Sequence, residues 1–365
     1  MRSNTPLRLG FFIQPVHPPG RDYRDVLRED REAIILADRL GYAEALVGEH
    51  LTDSAEPITS SLAFIASLAD QCPSLTLGTG VLSFLNHHPV VVAAQAAMID
   101  HLLDGRFLLG VGAGVPSDWE ALGNLRADRN GRLEEGIDQI IALWSGEAPY
   151  DLEGKFHQIT TSSTLTREIG QGMIVKPLQQ PHPPILLSCM SLNSRGPDLA
   201  GRRNWAGISA GYIPLESVGA HINAFIQGRE ASGFSPDATD WRVARSIFVA
   251  DDEATALSYA TTESGPHDFY FFNVMTKLAR GSAPSAKHER SPKPTTGMAD
   301  LLRERVIAGT VDQVVEQILH LRNTVGAFGT LLYTGHDWVD APLARRSMEL
   351  MAGEVMPRVN ASLQR

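Results

Sequence analysis

The chain has 365 residues, of which 43% are hydrophobic, a composition that is ordinary for a globular protein with a core of its own. Its net charge of -10 and the lack of any lysine- or arginine-rich run argue against nucleic acid or an anionic membrane as a partner. No stretch approaches the roughly 18 apolar residues of a membrane helix, the start has no apolar signal sequence, and Cys72 and Cys189 form no disulfide framework, so the expected location is the cytoplasm.

The first half of the chain alternates short apolar runs with helical patterns. Apolar residues recur at helical spacing from Val26 to Leu40, and Gly41 follows as a C-terminal cap. Two further helices are predicted at 60–71 and 89–103, the second beginning with a proline. Strands are predicted at 8–14, 43–48, 75–79 and 107–111.

The second half repeats this alternation with longer loops. Strands are predicted at 185–189, 205–209, 243–249 and 330–333. Helices are predicted at 131–144, 197–202, 215–232 and 341–356, and one more begins at a capping box formed by Thr310 and Gln313. Eight strand–helix steps predict a parallel sheet, and in a chain of this length they favour a closed (β/α)₈ TIM barrel over an open sheet.

The chain is longer than such a barrel requires. A (β/α)₈ barrel needs about 250 residues, which leaves about 100 for insertions. We place them at 116–130, 150–182 and 261–305. The third insertion combines an aromatic run, 266–275, with a polar run, 280–297, that is expected to be mobile. With no linker and no internal repeat, the prediction is a single barrel domain over 1–365 with an insertion at about 261–305.

In barrels of this kind the active site lies at the C-terminal ends of the strands. His50 directly follows a predicted strand, where a histidine can act as a general acid or base near neutral pH, although it can also simply brace a loop. The glycines at 110–114 match the dinucleotide motif G-x-G-x-x-G poorly, and 116–124 shows no clear helix start. These glycines are better explained by a flat ring lying against the strand end.

Two polar segments suggest a ligand. Residues 191–196 lie between a strand and a helix, where hydroxyls and backbone N–H groups suit a phosphate, although they also suit ordinary capping. His87 and His88 suggest a metal, but the side chains of adjacent residues diverge and no third ligand is suitably spaced. A metal site is therefore not expected.

The motifs, taken in order, resemble the bacterial luciferase-like flavoprotein family. The most specific ones are GYAEALVGEHL and LTLGTGVLSFLNHHPVVVAAQAAMIDHLLDGRFLLGVGAG, over residues 41–51 and 75–114. They place an acidic residue and a histidine after the second strand, a Gly-Thr strand end, and a His-Pro helix start. Further matches are RLEE, GKFH, KPLQQPHPPILLS and RSMELMAGEVMPRV. The resemblance covers nearly the whole chain outside 261–305.

The resemblance implies a (β/α)₈ barrel that binds flavin mononucleotide (FMN) or a deazaflavin. His50 matches the family's catalytic histidine, and Gly80-Val81 matches an unusual cis peptide at the end of the third strand. The hydroxyl residues that hold the flavin phosphate correspond to Ser191 and Ser194. The full set of cofactor-binding residues that it implies is Thr79, Gly80, Val81, Gly112, Met190, Ser191 and Ser194.

Three positions depart from the family pattern. Ala113 replaces a phosphate-binding arginine, Gly112 replaces a reactive cysteine, and Met190 replaces a glutamate. The lost arginine implies that Arg195 or another residue supplies the positive charge. A long-chain aldehyde substrate is therefore not implied.

The monooxygenase branch of the family implies a reaction. A separate flavin reductase supplies reduced FMN, O₂ adds to it to form a peroxyflavin, and a small apolar organic substrate is oxygenated in a site shielded from water. Phe12, Phe64 and Trp119 are the predicted substrate-binding residues, although aromatic residues more often belong to the core.

The sequence leaves two other functions open. One is a deazaflavin-dependent oxidoreductase of the same fold, which moves a hydride without oxygen. The other is a non-catalytic protein that only binds flavin, against which the presence of His50 argues weakly. The resemblance also leaves the assembly open, with a homodimer among the options.

Overall fold

The structure, a computed structural model, describes residues 6–14, 16–191, 193–281 and 297–364. The polar run 280–297, for which the sequence predicts mobility, lies outside these ranges except at its two ends. The strands in the described ranges are β1 (Arg8–Ile13), β2 (Glu44–Val47), β3 (Thr76–Thr79), β4 (Leu82–Ser83), β5 (Phe107–Gly112), β6 (Asp151–Glu153), β7 (Gln158–Thr160), β8 (Ile185–Cys189), β9 (Ala206–Ser209), β10 (Trp241–Val249), β11 (Val306–Gly309) and β12 (Thr330–Gly335).

Among the described residues, eight strands form one closed parallel barrel. β1 pairs with β2 on one side and with β12 on the other, where Arg8 lies opposite Thr330. The remaining pairs run from β2 through β3, β5, β8, β9 and β10 to β12, and all of them are parallel. The predicted (β/α)₈ barrel is therefore confirmed, and its strands are the eight that the sequence predicts.

Four short strands lie outside this closed path. β4 continues beside β5, β11 pairs with the second half of β10, and β6 and β7 form a separate antiparallel pair. The sequence does not predict β11, because four apolar residues directly after a helix have no periodicity that marks a strand.

The helices surround the barrel, and none in the described ranges is long and apolar enough to cross a membrane. They are α1 (Tyr23–Arg39), α2 (Ser61–Ala66), α3 (Pro89–Leu102), α4 (Pro116–Ala121), α5 (Arg129–Ser145), α6 (Gly196–Arg202), α7 (Leu215–Ala231), α8 (Glu253–Thr261), α9 (Pro266–Gly281), α10 (Met298–Arg305), α11 (Val311–Val325), α12 (Ala341–Leu350) and α13 (Met356–Leu363). The capping box at Thr310 and Gln313 is present at the start of α11.

The stretch after β5 corrects the sequence analysis. No helix start is predicted at 116–124, but α4 begins there at Pro116. Val115 precedes the helix and its side chain cannot cap it, so the usual polar N-cap signal is missing. Pro116 still favours a helix start, because its missing N–H falls in the first turn.

Two predicted helices end elsewhere than expected. The prediction at 60–71 is too long, because the Ser67 hydroxyl donates to the Phe64 carbonyl (2.6 Å) and α2 ends at Ala66. The closing helix predicted at 341–356 is instead α12 and α13, joined by the π-helical turn Met351–Val355. Pro357 lies in the first turn of α13, and a wider turn accommodates a proline that cannot donate a hydrogen bond.

Successive barrel residues point to two different apolar layers, as the period of two in a strand requires. The larger layer lies between the barrel and the helices and includes Phe11, Ile13 and Val47. The barrel interior is filled by Phe12, Leu46, Leu108, Leu186, Ala206, Ile208, Ala244 and Leu332.

A buried ion pair joins two strands of the barrel that are not neighbours, near their N-terminal ends. Arg242 on β10 donates from Nε and Nη2 to the two carboxylate oxygens of Glu44 on β2, over 2.6 and 2.8 Å. Both side chains are almost fully buried. The two-pronged contact partners both oxygens and ties β10 to β2 across the barrel.

This pair gives a prediction for stability. Arg242→Met leaves the Glu44 carboxylate buried and unpaired, and we expect it to lower the free energy of unfolding by about 3–5 kcal/mol. The double variant Arg242→Met, Glu44→Leu removes both charges and should regain most of the loss. Urea denaturation followed by circular dichroism measures both effects. A single variant as stable as the wild type would contradict this account of the barrel interior.

Candidate active site

The C-terminal ends of the parallel strands meet at one end of the barrel, which we call the mouth. The loop after β3 begins with a cis peptide bond between Gly80 and Val81, which confirms that sequence prediction. The Gly80 amide donates to the carbonyl of Val47 on β2 (2.7 Å), so the end of β3 is joined to the end of β2.

Glycines allow the strand ends to approach one another closely at the mouth. A Cβ atom on Gly112 would lie 2.7 Å from Cγ2 of Val81, and one on Gly80 would lie 3.1 Å from the ring of Phe12. The Thr79 hydroxyl donates to the Gly110 carbonyl (2.5 Å) and closes β3 onto β5. Five predicted site residues thus lie together as the floor of the mouth: Phe12, Thr79, Gly80, Val81 and Gly112.

Glu49 connects its own loop with the start of α2 and with the segment between β3 and α3, at the edge of this floor. Its Oε2 accepts from the amide and hydroxyl of Ser61, and its Oε1 accepts from the Ser83 amide (2.9 Å) and from His87 Nε2 (3.0 Å). Burial disfavours the charged carboxylate, but the hydrogen bonds from His87 and Ser61 outweigh it and lower the pKa of Glu49. His87, one of the two adjacent histidines, therefore helps to fix Glu49.

His50 is held from one side by a buried acid. Its Nε2 lies 3.0 Å from Oε2 of Glu56, which is in the same loop. Its Nδ1 is buried and has no hydrogen-bond partner. Burial lowers the pKa of His50, but the charge of Glu56 and the hydrogen bond to it prevail, so the pKa is above its usual value.

Glu56, the acid that contacts His50, also contacts the inserted helix α9. Glu56 is almost fully buried, and its Oε1 contacts Nζ of Lys277 on α9, which also contacts Asp53. Burial raises the pKa of Glu56, but the positive charges and hydrogen bonds of His50 and Lys277 lower it to about 2. Glu56 is therefore ionised throughout the neutral range.

A second carboxylate, Asp118 on α4, holds the chain that follows His50. It accepts from the amides of Leu51 (3.1 Å) and Thr52 (3.0 Å), and from the side chain of Asn86 (3.2 Å). The next residue, Trp119, donates from its indole N–H to the Ala113 carbonyl (2.7 Å) at the end of β5. The helix that the sequence does not predict thus fixes the loop of His50 to the mouth.

The loop that carries the predicted phosphate residues follows β8. Ser191 and Arg195 are exposed and Ser194 is half-buried, and the Ser194 amide donates to the Ser191 carbonyl (3.0 Å). His221 Nε2 donates to the same carbonyl (2.7 Å), while Nδ1 of His221 lies 3.0 Å from the Ser209 hydroxyl. Burial lowers the pKa of His221, which suits a neutral ring that donates from Nε2.

The remaining predicted residues lie apart from the floor. Met190 is half exposed at the end of β8, and Phe64 on α2 packs into the layer between barrel and helices. Two cavities, of about 480 and 450 Å³, lie elsewhere, and none of the predicted site residues lines them. The structure therefore gathers the residues around β2, β3 and β5, and leaves Phe64 in the core.

The only group of acids and histidines in the described residues with the spacing of a metal site is His17, Glu29 and Asp337. Arg21 contacts both of these carboxylates, and Nε2 of His17 lies 3.0 Å from Asp30. A guanidinium between the two acids disfavours a cation, so we interpret the group as an ion-pair network.

The mouth suits a large, flat, anionic cofactor. It offers a floor of glycines and small side chains, the unpartnered Nδ1 of His50, and exposed hydroxyl and guanidinium groups at Ser191 and Arg195. A closed (β/α)₈ barrel with such a mouth defines a class of cofactor-dependent barrel enzymes.

Comparison with known proteins gives the family. The model of the luciferase-like monooxygenase family matches residues 7–327. The 4-hydroxyprotoasukamycin monooxygenase of Streptomyces nodosus subsp. asukaensis is 32% identical over 98% of this chain and 93% of its own length. Limonene 1,2-monooxygenase of Rhodococcus erythropolis is 28% identical, over 97% and 87%. The chain belongs to the luciferase-like monooxygenase family and is an oxidoreductase, as the sequence predicts.

A solved structure agrees in fold. It is the oxygenating constituent of 3,6-diketocamphane monooxygenase of Pseudomonas putida, a type II Baeyer-Villiger monooxygenase in complex with FMN. It superposes with a TM-score of 0.84 at 24% identity, and the match covers 96% of this chain and 98% of that one.

Sequence reasoning missed the residues that support the site. Glu56, Asp118, His221 and Lys277 lie between 6 and 227 positions from His50 in the chain, and no local motif marks them. Only Glu49 carried a signal, because it directly precedes His50 after a strand. The others are found only when the loops and α9 are placed against the barrel.

The contact between Glu56 and His50 gives a prediction for pH dependence. Glu56→Gln removes the negative charge that raises the pKa of His50 and leaves burial, which lowers it. We expect the pKa of His50 to move from above its usual value to below it. NMR titration of the imidazole protons, assigned with His50→Ala, measures the change. Glu120→Gln, an exposed change on α4, is the control, and an unchanged titration in Glu56→Gln would refute the assignment.

Proposed function

We propose that this chain is the oxygenase component of a two-component flavin-dependent monooxygenase. It takes reduced FMN from a separate flavin reductase and uses O₂ to oxygenate a small apolar organic substrate. The observation that carries the proposal is the position of His50, which stands beside the glycine-lined floor with one nitrogen held by Glu56 and the other unpartnered.

The residues of the mouth fit a flavin in two ways. The floor formed by Thr79, Gly80, Val81 and Gly112 suits an aromatic ring, because it is built of small, uncharged residues that the glycines allow to pack closely together. Ser191 and Ser194, with Met190 beside them, would hold the phosphate, and the exposed guanidinium of Arg195 would supply the charge that Ala113 lacks.

Reduced flavin, when bound, supplies the electrons that activate O₂ for oxygen transfer. The chain itself positions a proton. Nε2 of His50 donates to Glu56, which holds the ring in one orientation, and Nδ1 is free to give or take a proton near neutral pH. Because Glu56 stays ionised, it favours the protonated form of His50.

Apolar side chains at the mouth would receive the substrate and exclude water. Phe12 lies against Gly80, and Trp119 is fixed at the end of β5 through Ala113. Water exclusion strengthens every electrostatic contact in such a site. Phe64 would contribute indirectly, because it packs in the layer between the barrel and the helices and does not contact the floor.

The names of similar proteins support a separate reductase and an apolar substrate. The P. putida structure is described as an oxygenating constituent, which distinguishes it from a reducing one. Limonene and diketocamphane, in the names of these relatives, are small cyclic molecules of an alkene and a ketone type. A cyclic alkene or ketone is therefore the substrate class to test first.

We also propose a homodimer. Val91, Met98 and Leu102 lie on one face of α3, and about half of each side chain is exposed. Three large apolar residues at this spacing form a stripe that a second copy of the chain would cover.

The role of His50 gives a prediction for activity. With NADH, a flavin reductase and FMN, the wild type should oxygenate a member of a panel of cyclic alkenes and ketones. His50→Ala should form product about 10²–10⁴ times more slowly, because a positioned acid or base is lost. Hydrogen peroxide release should rise, while the melting temperature and reduced-FMN affinity stay near those of the wild type.

Four outcomes would speak against the proposal. An unchanged product yield in His50→Ala would remove the proton role. Fast NADH oxidation by the pure protein with FMN and no reductase would remove the separate reductase. Hydride transfer to or from a deazaflavin, with no oxygen uptake, would favour the deazaflavin reading, and flavin binding without any turnover would favour a binding protein.

The phosphate residues give a separate prediction for binding. Ser191→Ala, Ser194→Ala removes two hydroxyl donors, each worth roughly ten- to a hundredfold in affinity toward a charged group. Reduced FMN should bind more weakly by at least tenfold in anaerobic fluorescence titration. The matched control is Ser162→Ala, Ser163→Ala, which removes two exposed hydroxyls from another loop. Equal affinity in the test variant and the control would refute the assignment.

A further inference from the structure

The inserted helix α9 reaches the active-site histidine through a shared carboxylate. The two oxygens of Glu56 are divided between two cations: Oε2 faces Nε2 of His50 and Oε1 contacts Nζ of Lys277. Lys277 also contacts Oδ2 of Asp53, three residues before Glu56. The single ammonium group of Lys277 therefore binds both acids of the His50 loop, Asp53 and Glu56, to α9.

α9 is fixed to the mouth at a second point. Tyr270 donates its hydroxyl proton to Oε1 of Gln14 (2.8 Å), the residue that follows β1. Tyr270 and Lys277 are seven positions apart, which is about two helical turns, so they lie on the same face of α9. That face is therefore held to the barrel mouth by two polar contacts, one of which involves the partner of His50.

We propose that Lys277 is a positioning residue of the active site, which orients the Glu56 carboxylate toward His50 and so makes α9 part of the catalytic centre. The inference rests on the proposed function, since it assigns Lys277 to the reaction of the same site. Without the ammonium group, Glu56 would keep one unpartnered buried oxygen, and the carboxylate would be free to turn away from the imidazole.

The charges that face His50 come from three elements. Glu56 and Asp53 lie in its own loop, Lys277 lies on α9, and Asp118 lies on α4. The buried phenols Tyr212 and Tyr270 also face Glu56. Lys277 lowers the pKa of His50, whereas Glu56 and Asp53 raise it.

These opposite signs separate a positioning role from a merely structural one. If Lys277 only anchored α9, Glu56 would stay against His50 in Lys277→Met, and the pKa of His50 would rise because a nearby positive charge is lost. If Lys277 holds Glu56 against His50, the carboxylate turns away in Lys277→Met, and the pKa of His50 falls because the larger contribution of Glu56 is lost.

The experiment uses the full chain and needs no substrate for its first readout. The imidazole of His50 is titrated by NMR in wild type, Lys277→Met, Lys277→Arg and Asp53→Asn, with melting temperatures recorded for each. The control is Lys155→Met, which removes one exposed lysine far along the chain. We expect a lower pKa of His50 in Lys277→Met, a smaller fall in Asp53→Asn, which keeps the contact between Lys277 and Glu56, and values near the wild type in Lys277→Arg and in the control.

The second readout is kinetic, with reduced FMN, a reductase and the substrate found above. In Lys277→Met, kcat should fall about tenfold, which is a typical coupling between residues in one network, while KM changes little. The pH profile of kcat in Lys277→Met should shift to lower pH along with the pKa of His50, and Lys277→Arg should restore most of the activity.

Each outcome decides the matter. A raised or unmoved pKa of His50 in Lys277→Met would overturn the proposal. If Lys277→Met fails to fold, Lys277→Gln takes its place in both readouts. A lowered pKa of His50 in Lys277→Met, together with no oxygenation by the wild type, would keep the geometric assignment and reject the proposed function, so that the two failures are distinguishable.

Discussion

Two carboxylates buried at the end of β2 must each have every oxygen partnered, and most of the mouth is arranged around that requirement. A buried, unpaired carboxylate is costly. Glu49 meets the requirement through Ser61 at the start of α2, Ser83 in β4 and His87 just before α3. Glu56 meets it through His50 and, on α9, Lys277. Because each oxygen of these two acids needs a partner, the segments that carry the partners, including the inserted helix, are held in place.

The chemistry follows from the same arrangement. The glycines at the ends of β3 and β5 let the strand ends pack closely, and they supply no charge. Charge comes from the surrounding loops, where a histidine is held at one nitrogen only. An ionised acid, Glu56, contacts the imidazole and raises the pKa of His50. Under the proposed function, the floor therefore provides shape, and the loop of His50 provides proton control.

Prediction from sequence succeeded where the signal was local or was carried by the family pattern. The eight barrel strands were predicted because strands buried on both faces read as continuous apolar runs between helical patterns. The cis bond at Gly80-Val81 and the cluster of Thr79, Gly80 and Gly112 followed from matched motifs. The prediction failed at α4, where Val115 offers no capping side chain. It also failed at the end of α2, where the Ser67 hydroxyl donates to a backbone carbonyl.

The sequence by itself determined the barrel, the family and the position of His50, because apolar periodicity and ordered motifs are properties of neighbouring residues. Only the tertiary structure decided which groups act on His50. Lys277 lies 227 positions away and meets Glu56 only after α9 packs on the mouth. Likewise, Phe64 entered the outer layer while Phe12 reached the floor, because the layer that a side chain joins depends on how its element packs against the barrel. Buried charges that pair across long distances in the sequence leave no local pattern in the chain. These pairs set the charge around His50.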